Sequence, residues 1–334
     1  MVARSRTEDQ VNAALHMVSN SDASSVEKAE MLTEIALGLQ QKPKTADDLQ
    51  AAIALYRMAI DRCPATSALL SARIRARMAT AEMAIPSDDV AHMETARVAL
   101  EQALTTLNAE GLDEEIAEAE MNLGLALQNL AGSGKARIQD AIAAYQRALR
   151  VFDKSNHPVE FAILQNNLAT AFLSVPFTDD AGKMREALAV QAFEEGLKVV
   201  SLIDHPSEYA MLQNNLGNAL QYVSSSHRVE NGFRALEAYD EALKVRNRRE
   251  APGEYANTIA NKANCLVNLP DDPDDPDAGN PNNVQAAVAL YREAIAVFEA
   301  TGESRKSAIV AEALAELERS SIPKTRQSNG AQQG

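Results

Sequence analysis

The sequence predicts an all-α fold, a solenoid of six helix pairs stacked in series with a capping helix at each end, and three observations carry that prediction. A small, large, small stripe of side chains recurs six times along the chain. A second pattern of small residues precedes each copy, at intervals of 43, 45, 45, 48 and 46 residues, the range expected of a stacked helical array. Ala, Leu and Glu dominate a composition that is 46% hydrophobic but only 4% aromatic, with no Trp, which favours helices packed through small side chains over a sheet.

The elements follow in order. Thr7 with Gln10 reads as a capping box ahead of Val11, Ala14, Leu15 and Val18, so residues 1–25 are assigned to an N-terminal cap helix and linker. Six repeats follow at about 26–64, 65–111, 112–157, 158–205, 206–251 and 252–302. The first helix of each, helix A, carries Ala36, Ala79, Gly124, Ala169, Gly217 or Ala263, followed two residues on by Gly38, Ala81, Ala126, Ala171, Ala219 or Cys265. The second, helix B, carries Ala52, Ala96, Ala141, Ala189, Ala235 or Ala287, and four residues later Tyr56, Leu100, Tyr145, Phe193, Tyr239 or Tyr291. Three further on stand Ala59, Ala103, Ala148, Gly196, Ala242 and Ala294. Steps of four and three share one helical face, where two small residues let a neighbouring helix approach and the large one fills the gap. Pro158, Pro206 and Pro252 open three of the A helices, each with a Glu two residues later. Pro suits the first helical position and an anion the first turn, so His157 and His205 just before are read as joint residues rather than chemistry. An acidic insertion over 271–283 lengthens the last A-to-B turn as a solvated loop; its prolines break the alternating ligand spacing of a calcium loop. Residues 303–320 supply a C-terminal cap helix, and 321–334 read as a disordered tail.

Composition excludes several function classes. A net charge of −15, a pI near 4.9 and no Lys/Arg cluster leave no electrostatic footprint for nucleic acid or an anionic membrane surface. No apolar run approaches a membrane span and the start lacks an apolar leader segment. Cys63 and Cys265 are too few and too scattered for a disulfide framework or structural zinc, which fits a reducing cytoplasm. Gly132, Gly134 and Lys135 hint at a phosphate loop, but no strand precedes them and Ala136 stands where the hydroxyl should. His16, His92 and His227 are isolated from each other and from both cysteines, so neither a triad, a metal site nor a cofactor site is expected, and the chain is read as a non-enzyme.

The small residue of helix A with the Ala, aromatic, Ala stripe of helix B resembles the tetratricopeptide repeat. The runs from Leu164 to Phe172 and from Leu212 to Leu220 are similar to the long variety found in kinesin light chains and in bacterial repeats associated with CHAT peptidase domains. The resemblance covers most of the chain, with departures at Leu100, where an aromatic is usual, at Lys262, in a normally apolar position, and in repeat length. It implies a right-handed superhelix whose A helices line a concave groove that accepts a segment of another protein. No peptidase region follows the repeats, and that activity is not carried over.

Polar residues on the A helices supply a candidate site. Asn257, Asn261, Asn264 and Asn268 fall within an arc of about 60° at 100° per residue. The equivalents of Asn261 in the preceding repeats include Arg77, Asn122, Asn167 and Asn215, while Asn218 matches Asn264 and Asn129 matches Asn268. Asn is a mediocre helix former, and its amide offers both donor and acceptor to an extended peptide; in the resembled families this helix A position contacts bound peptide. Arg77, Met211 and Tyr222 on the same face are candidates for side-chain pockets. The expected partner is a protein or peptide segment, basic or apolar rather than acidic, held by an adaptor, scaffold or assembly chaperone. The alternative is a solenoid that self-associates, as a homo-oligomer or a subunit of a larger complex, through its convex face or ends.

Overall fold

The computed structural model describes residues 6–87, 89–174, 180–223, 227–275, 277 and 279–321. Among them the regular elements are helical: fourteen α-helices and one 3-10 turn over Ala65–Ser67, with no strand beyond an isolated bridge between Asp272 and Asp275. The all-α class holds. The chain divides into two compact units, Met1–Phe177 and Thr178–Gly334.

In the first unit, α1 (Arg6–Ser19) lies against both members of a hairpin formed by α2 (Ser25–Gln41) and α3 (Ala46–Arg62). α4 (Ala68–Met83) pairs with α5 (Ala91–Glu110), α6 (Asp113–Gly132) with α7 (Ile138–Ala148), and α8 (Pro158–Leu173) packs on α6 and α7. In the second unit, α9 (Asp180–Leu197) packs on α10 (Pro206–Tyr222), which pairs with α11 (Arg228–Leu243). α12 (Pro252–Val267) pairs with α13 (Pro281–Ala300), and α14 (Ser304–Ser321) covers α13. Helices two apart also touch, α2 with α4, α4 with α6 and α6 with α8 in the first unit, α10 with α12 in the second. The even-numbered helices α2 to α12 correspond to the A helices of the sequence, and within each unit they therefore share a face. Residues 322–334, most of the expected tail, lie outside the described residues.

The packing follows from the recurring stripe. Tyr56, Leu100, Tyr145, Phe193, Tyr239 and Tyr291 are all at most 3% exposed, and so are the alanines that precede them by four. Burying a large apolar side chain contributes roughly 1.5–3 kcal/mol, so these six positions anchor the helices that carry them. In two hairpins the ring lies so close that the partner helix has no room for a side chain. A Cβ on Gly124 would stand 2.5 Å from the Tyr145 ring, and one on Gly217 would stand 2.6 Å from the Tyr239 ring.

Three joints share one turn. At Asp153, Ser201 and Asn247 a short side-chain oxygen accepts backbone N–H groups two or three residues on, as at 2.7 Å from Ser155, 3.0 Å from Asp204 and 3.0 Å from Arg249. The backbone carbonyl of the same residue accepts from His157, His205 or Ala251, just ahead of the proline that opens the next helix. These side chains satisfy donors that a tight turn would otherwise leave open. The His157 ring also packs against Phe152, with centroids 5.2 Å apart and the planes tilted by 58°.

Several local expectations change. Thr7 does not cap α1, which begins at Arg6; Gln10 instead donates to Asp48 on α3 at 2.6 Å. The capping box belongs to α2, where Glu27 N–H donates to Ser24 Oγ at 3.3 Å and Ser24 N–H to Glu27 at 2.7 Å. The Ser24 N–H, with help from its hydroxyl, holds the Glu27 carboxyl below its usual range. Lys262 sits in its apolar surroundings by pairing with Asp240 on α11. The glycines near 132–134 form the α6–α7 turn, with Gly134 at φ 74° and Lys135 bonded to Glu94 at 2.9 Å. The 271–283 insertion is tied down, since the Asp271 carboxylate accepts from the N–H groups of Asn282 and Asn283 at 2.9 and 2.8 Å, closing the first turn of α13.

Candidate functional site

The A-helix faces place the sequence-predicted residues in three different surroundings. Asn122, Asn167, Asn215 and Asn261 occupy equivalent positions on α6, α8, α10 and α12, and all four are half-buried. Asn167 accepts from the neighbouring buried Asn166 at 3.2 Å, and Asn215 from the buried Asn214 at 3.0 Å. Asn261 donates to Asn214 Oδ1 at 3.3 Å, which links α12 to α10. In the second unit the amides thus form a short chain, Asn261 to Asn214 to Asn215, spanning two A helices. Asn257, one turn before Asn261, is also half-buried.

Asn218 and Asn264 are committed differently. The Tyr239 hydroxyl lies 2.8 Å from Asn218 Oδ1 and 3.1 Å from Gln221 Oε1, and its single proton serves one acceptor at a time. Tyr291 donates to Asn264. In the first unit the same task falls to glutamines: Tyr56 donates to Gln40 and Tyr145 to Gln128, each at 2.8 Å. Gln40 and Gln128 pass the bond on to Thr80 and Thr170 of the next A helix, at 2.8 and 3.0 Å. Burial pushes the Tyr56 and Tyr291 phenols up to about 12, and raises those of Tyr145 and Tyr239 as well. A buried phenol needs such an acceptor, because leaving it unpaired costs roughly 1–3 kcal/mol. The repeat with Leu100 in place of tyrosine has Met83 where Gln40, Gln128 and Gln221 stand in three of the others.

Asn129 and Asn268, both exposed, donate to the carbonyls of Leu125 and Asn264 four residues earlier on their own helices, each at 2.9 Å. Tyr222, 68% exposed, ends α10 and borders a small depression with Asn268 and Leu269. Met211 is half-buried one turn before Asn215.

Arg77 on α4 lines two depressions, one toward α2 and one toward α6. It lies 3.8 Å from Glu34, and both side chains are largely exposed. Its neighbour Arg73 grips Glu115 with two bonds, Nε to Oε1 at 2.6 Å and the terminal nitrogen to Oε2 at 3.1 Å. The Arg73 guanidinium holds the Glu115 carboxyl below its usual range.

Several titratable groups are held in pairs within the fold. His92 and Arg57 both bind the buried carboxylate of Glu82, at 2.6 and 2.8 Å, and Arg147 makes two 2.7 Å bonds to the buried Glu120. Cys265 donates to the Gly232 carbonyl at 3.3 Å, its thiol pushed up to about 12 by burial, and Cys63 is also a free thiol. Among the described residues no group of three or more His, Cys, Asp or Glu is placed to hold a metal, and no helix is long and apolar enough to cross a membrane.

Sequence reasoning missed Asn166 and Asn214, which lie one residue before the predicted stripe. Their adjacency in two Gln-Asn-Asn-Leu runs was the available signal. It also missed the role of Gln40 and Gln128, whose spacing matches no motif.

No family model matches the chain, and no curated protein resembles it in sequence. Among solved structures the chain is similar to the crystal structure of a Rap protein complexed with competence and sporulation factor. The two share 12% identity over 96% of this chain and 89% of that one, with a TM-score of 0.41.

Proposed function

We propose that this chain is a non-enzymatic scaffold, an adaptor or assembly chaperone of the cytoplasm, that holds an extended segment of a partner protein against its A-helix faces. The observation that carries the reading is the recurrence of half-buried amides at one A-helix position, Asn122 and Asn167 in the first unit and Asn215 and Asn261 in the second. Asparagine disfavours helix interiors, and although Asn167, Asn215 and Asn261 bond to other amides inside the fold, each amide has more than one donor and acceptor site, which suits an extended backbone that offers both N–H and C=O groups. Asn129 and Asn268, which bond to carbonyls of their own helices, and Asn218 and Asn264, which receive buried phenols, are assigned a secondary part. Met211, Tyr222, Asn257 and Arg77 border the same faces and would select side chains.

The test starts from peptides selected out of a random displayed library, whose affinities for wild type, for Asn122→Ala/Asn167→Ala and for Asn215→Ala/Asn261→Ala are compared by fluorescence anisotropy. Two bonds in a unit at about 1 kcal/mol net each predict a loss of roughly 30-fold in the double variant of the unit that binds. Equal affinity in both variants, with unchanged helicity, rejects the site.

A further inference from the structure

The first unit's A-helix face carries charge in alternation. α2 presents Glu30 and Glu34, α4 presents Arg77, and α6 presents Glu118, and all four are exposed. The remaining charges of the two depressions, Arg73 and Glu115, satisfy each other through their paired bonds. Arg77 and Glu34 are only loosely engaged at 3.8 Å, with side-chain exposures of 48% and 71%, so little is lost when a ligand separates them. The depressions hold about 190 and 360 Å³, at or below the lower end of the roughly 300–1,000 Å³ of small-molecule sites. Each is suited to single side chains of a longer ligand.

We infer that this face docks a protein segment carrying two basic side chains with an acidic one midway between them, the basic residues over α2 and α6 and the acidic one over Arg77. This deepens the proposed function and rests on it. Neighbouring helix axes lie roughly 8–10 Å apart, so the acidic helices α2 and α6 flank α4 across about 16–20 Å. An extended chain covers that in about five or six residues at roughly 3.3 Å each, which sets the spacing of the two basic residues. The net charge of −15 favours the encounter with a segment that is basic overall. Three carboxylates against one arginine leave the face net negative, which turns away a polyanion and a purely acidic peptide.

The probe is a fluorescein-labelled synthetic peptide with lysines about six residues apart and a central aspartate in an Ala/Ser background; its control has every charge inverted. Anisotropy at low salt is expected to show the patterned peptide binding at least tenfold more tightly, with the preference shrinking as salt rises. Glu118→Lys is expected to weaken it tenfold and to restore binding to a peptide whose matching lysine is glutamate. Equal binding of the inverted peptide, or failure of the exchange to restore affinity in a variant of normal helicity, overturns the inference. If library-selected peptides depend on the four asparagines yet ignore Glu118→Lys, the amide site stands and the charge pattern falls. If they ignore both, both readings fall.

Discussion

The contact between Gly124 and Tyr145 can be put to a quantitative test. Gly124→Ala adds one methyl at the centre of α6, where helix propensity alone would stabilise the chain by about 0.8–1 kcal/mol. The new Cβ would meet Cε1 and Cδ1 of Tyr145 at 2.5 and 2.6 Å. That ring is 0% exposed and its hydroxyl is fastened to Gln128, so it cannot swing aside without breaking the bond to α6. Overpacking of this kind costs typically about 1–3 kcal/mol, leaving a net destabilisation of about 1 kcal/mol. The neighbouring hairpin has Ala79 on α4 with the smaller Leu100 on α5 at the same two positions, while Ala36 with Tyr56 and Ala263 with Tyr291 show that the clash comes from the close approach at Gly124 and not from the residue pair alone. Gly124→Ala in a Tyr145→Leu background should therefore lose its penalty and recover the propensity gain, a coupling of about 1–3 kcal/mol across the double-mutant cycle. The assay is urea unfolding followed by far-UV circular dichroism, comparing midpoints and slopes for all four proteins. A Gly124→Ala chain stabilised by the full propensity gain, or a cycle that closes with no coupling, would refute the argument.

Two further outcomes follow from buried groups. Arg246 is 9% exposed, donates to Thr258 Oγ1 at 3.0 Å, and holds Nε 3.2 Å from Glu254 but off the hydrogen-bonding line; equivalent joints have Val200 with Leu212 and Phe152 with Leu164. Arg246→Leu/Thr258→Leu should leave the urea midpoint unchanged or raise it, since replacing a buried charge by packed apolar groups is often neutral or stabilising by about 1–4 kcal/mol, and a clear fall would count against it. Tyr56, Tyr145, Tyr239 and Tyr291 have folded-state pKa values raised above the unfolded phenol, near 10. Their contribution to stability is complete below that value and is lost as pH climbs through the folded values, about 12 for Tyr56 and Tyr291. Phenolate absorbance at 295 nm from these four should appear only as helicity falls, and their ionisation in a fully helical protein would show the reasoning to be mistaken.

The helical class and the face that each B helix buries were legible because they depend on residue size at fixed steps. Ala52, Tyr56 and Ala59 point the same way in any α-helix, and burying them requires only that some neighbour be present. The hydrogen bonding was less legible. Tyr56 and Tyr239 look alike in sequence, yet one is received by Gln40 and the other by Asn218 or Gln221. Asn215 and Asn218 differ by one helical turn, but only Asn218 faces a phenol. Periodicity gives the direction of a side chain from its own axis; which atom waits there depends on how the next helix is placed. Thr7 illustrates the same limit, since its box spacing is correct while Gln10 finds Asp48 on α3 instead.

The shared turn at Asp153, Ser201 and Asn247 separates what is constant along the chain from what is free to vary. From Tyr56 to Ala79 the count is 23 residues and from Leu100 to Gly124, Tyr145 to Ala169, Phe193 to Gly217 and Tyr239 to Ala263 it is 24, whereas from Ala36 to Tyr56 it is 20, from Gly217 to Tyr239 it is 22 and from Ala263 to Tyr291 it is 28. Length differences therefore collect at the tips of hairpins rather than at the links joining one hairpin to its successor. Such tips can grow, as the stretch after Asp271 has, without altering the step by which hairpins add on. They are the natural places to graft a tag or a foreign loop.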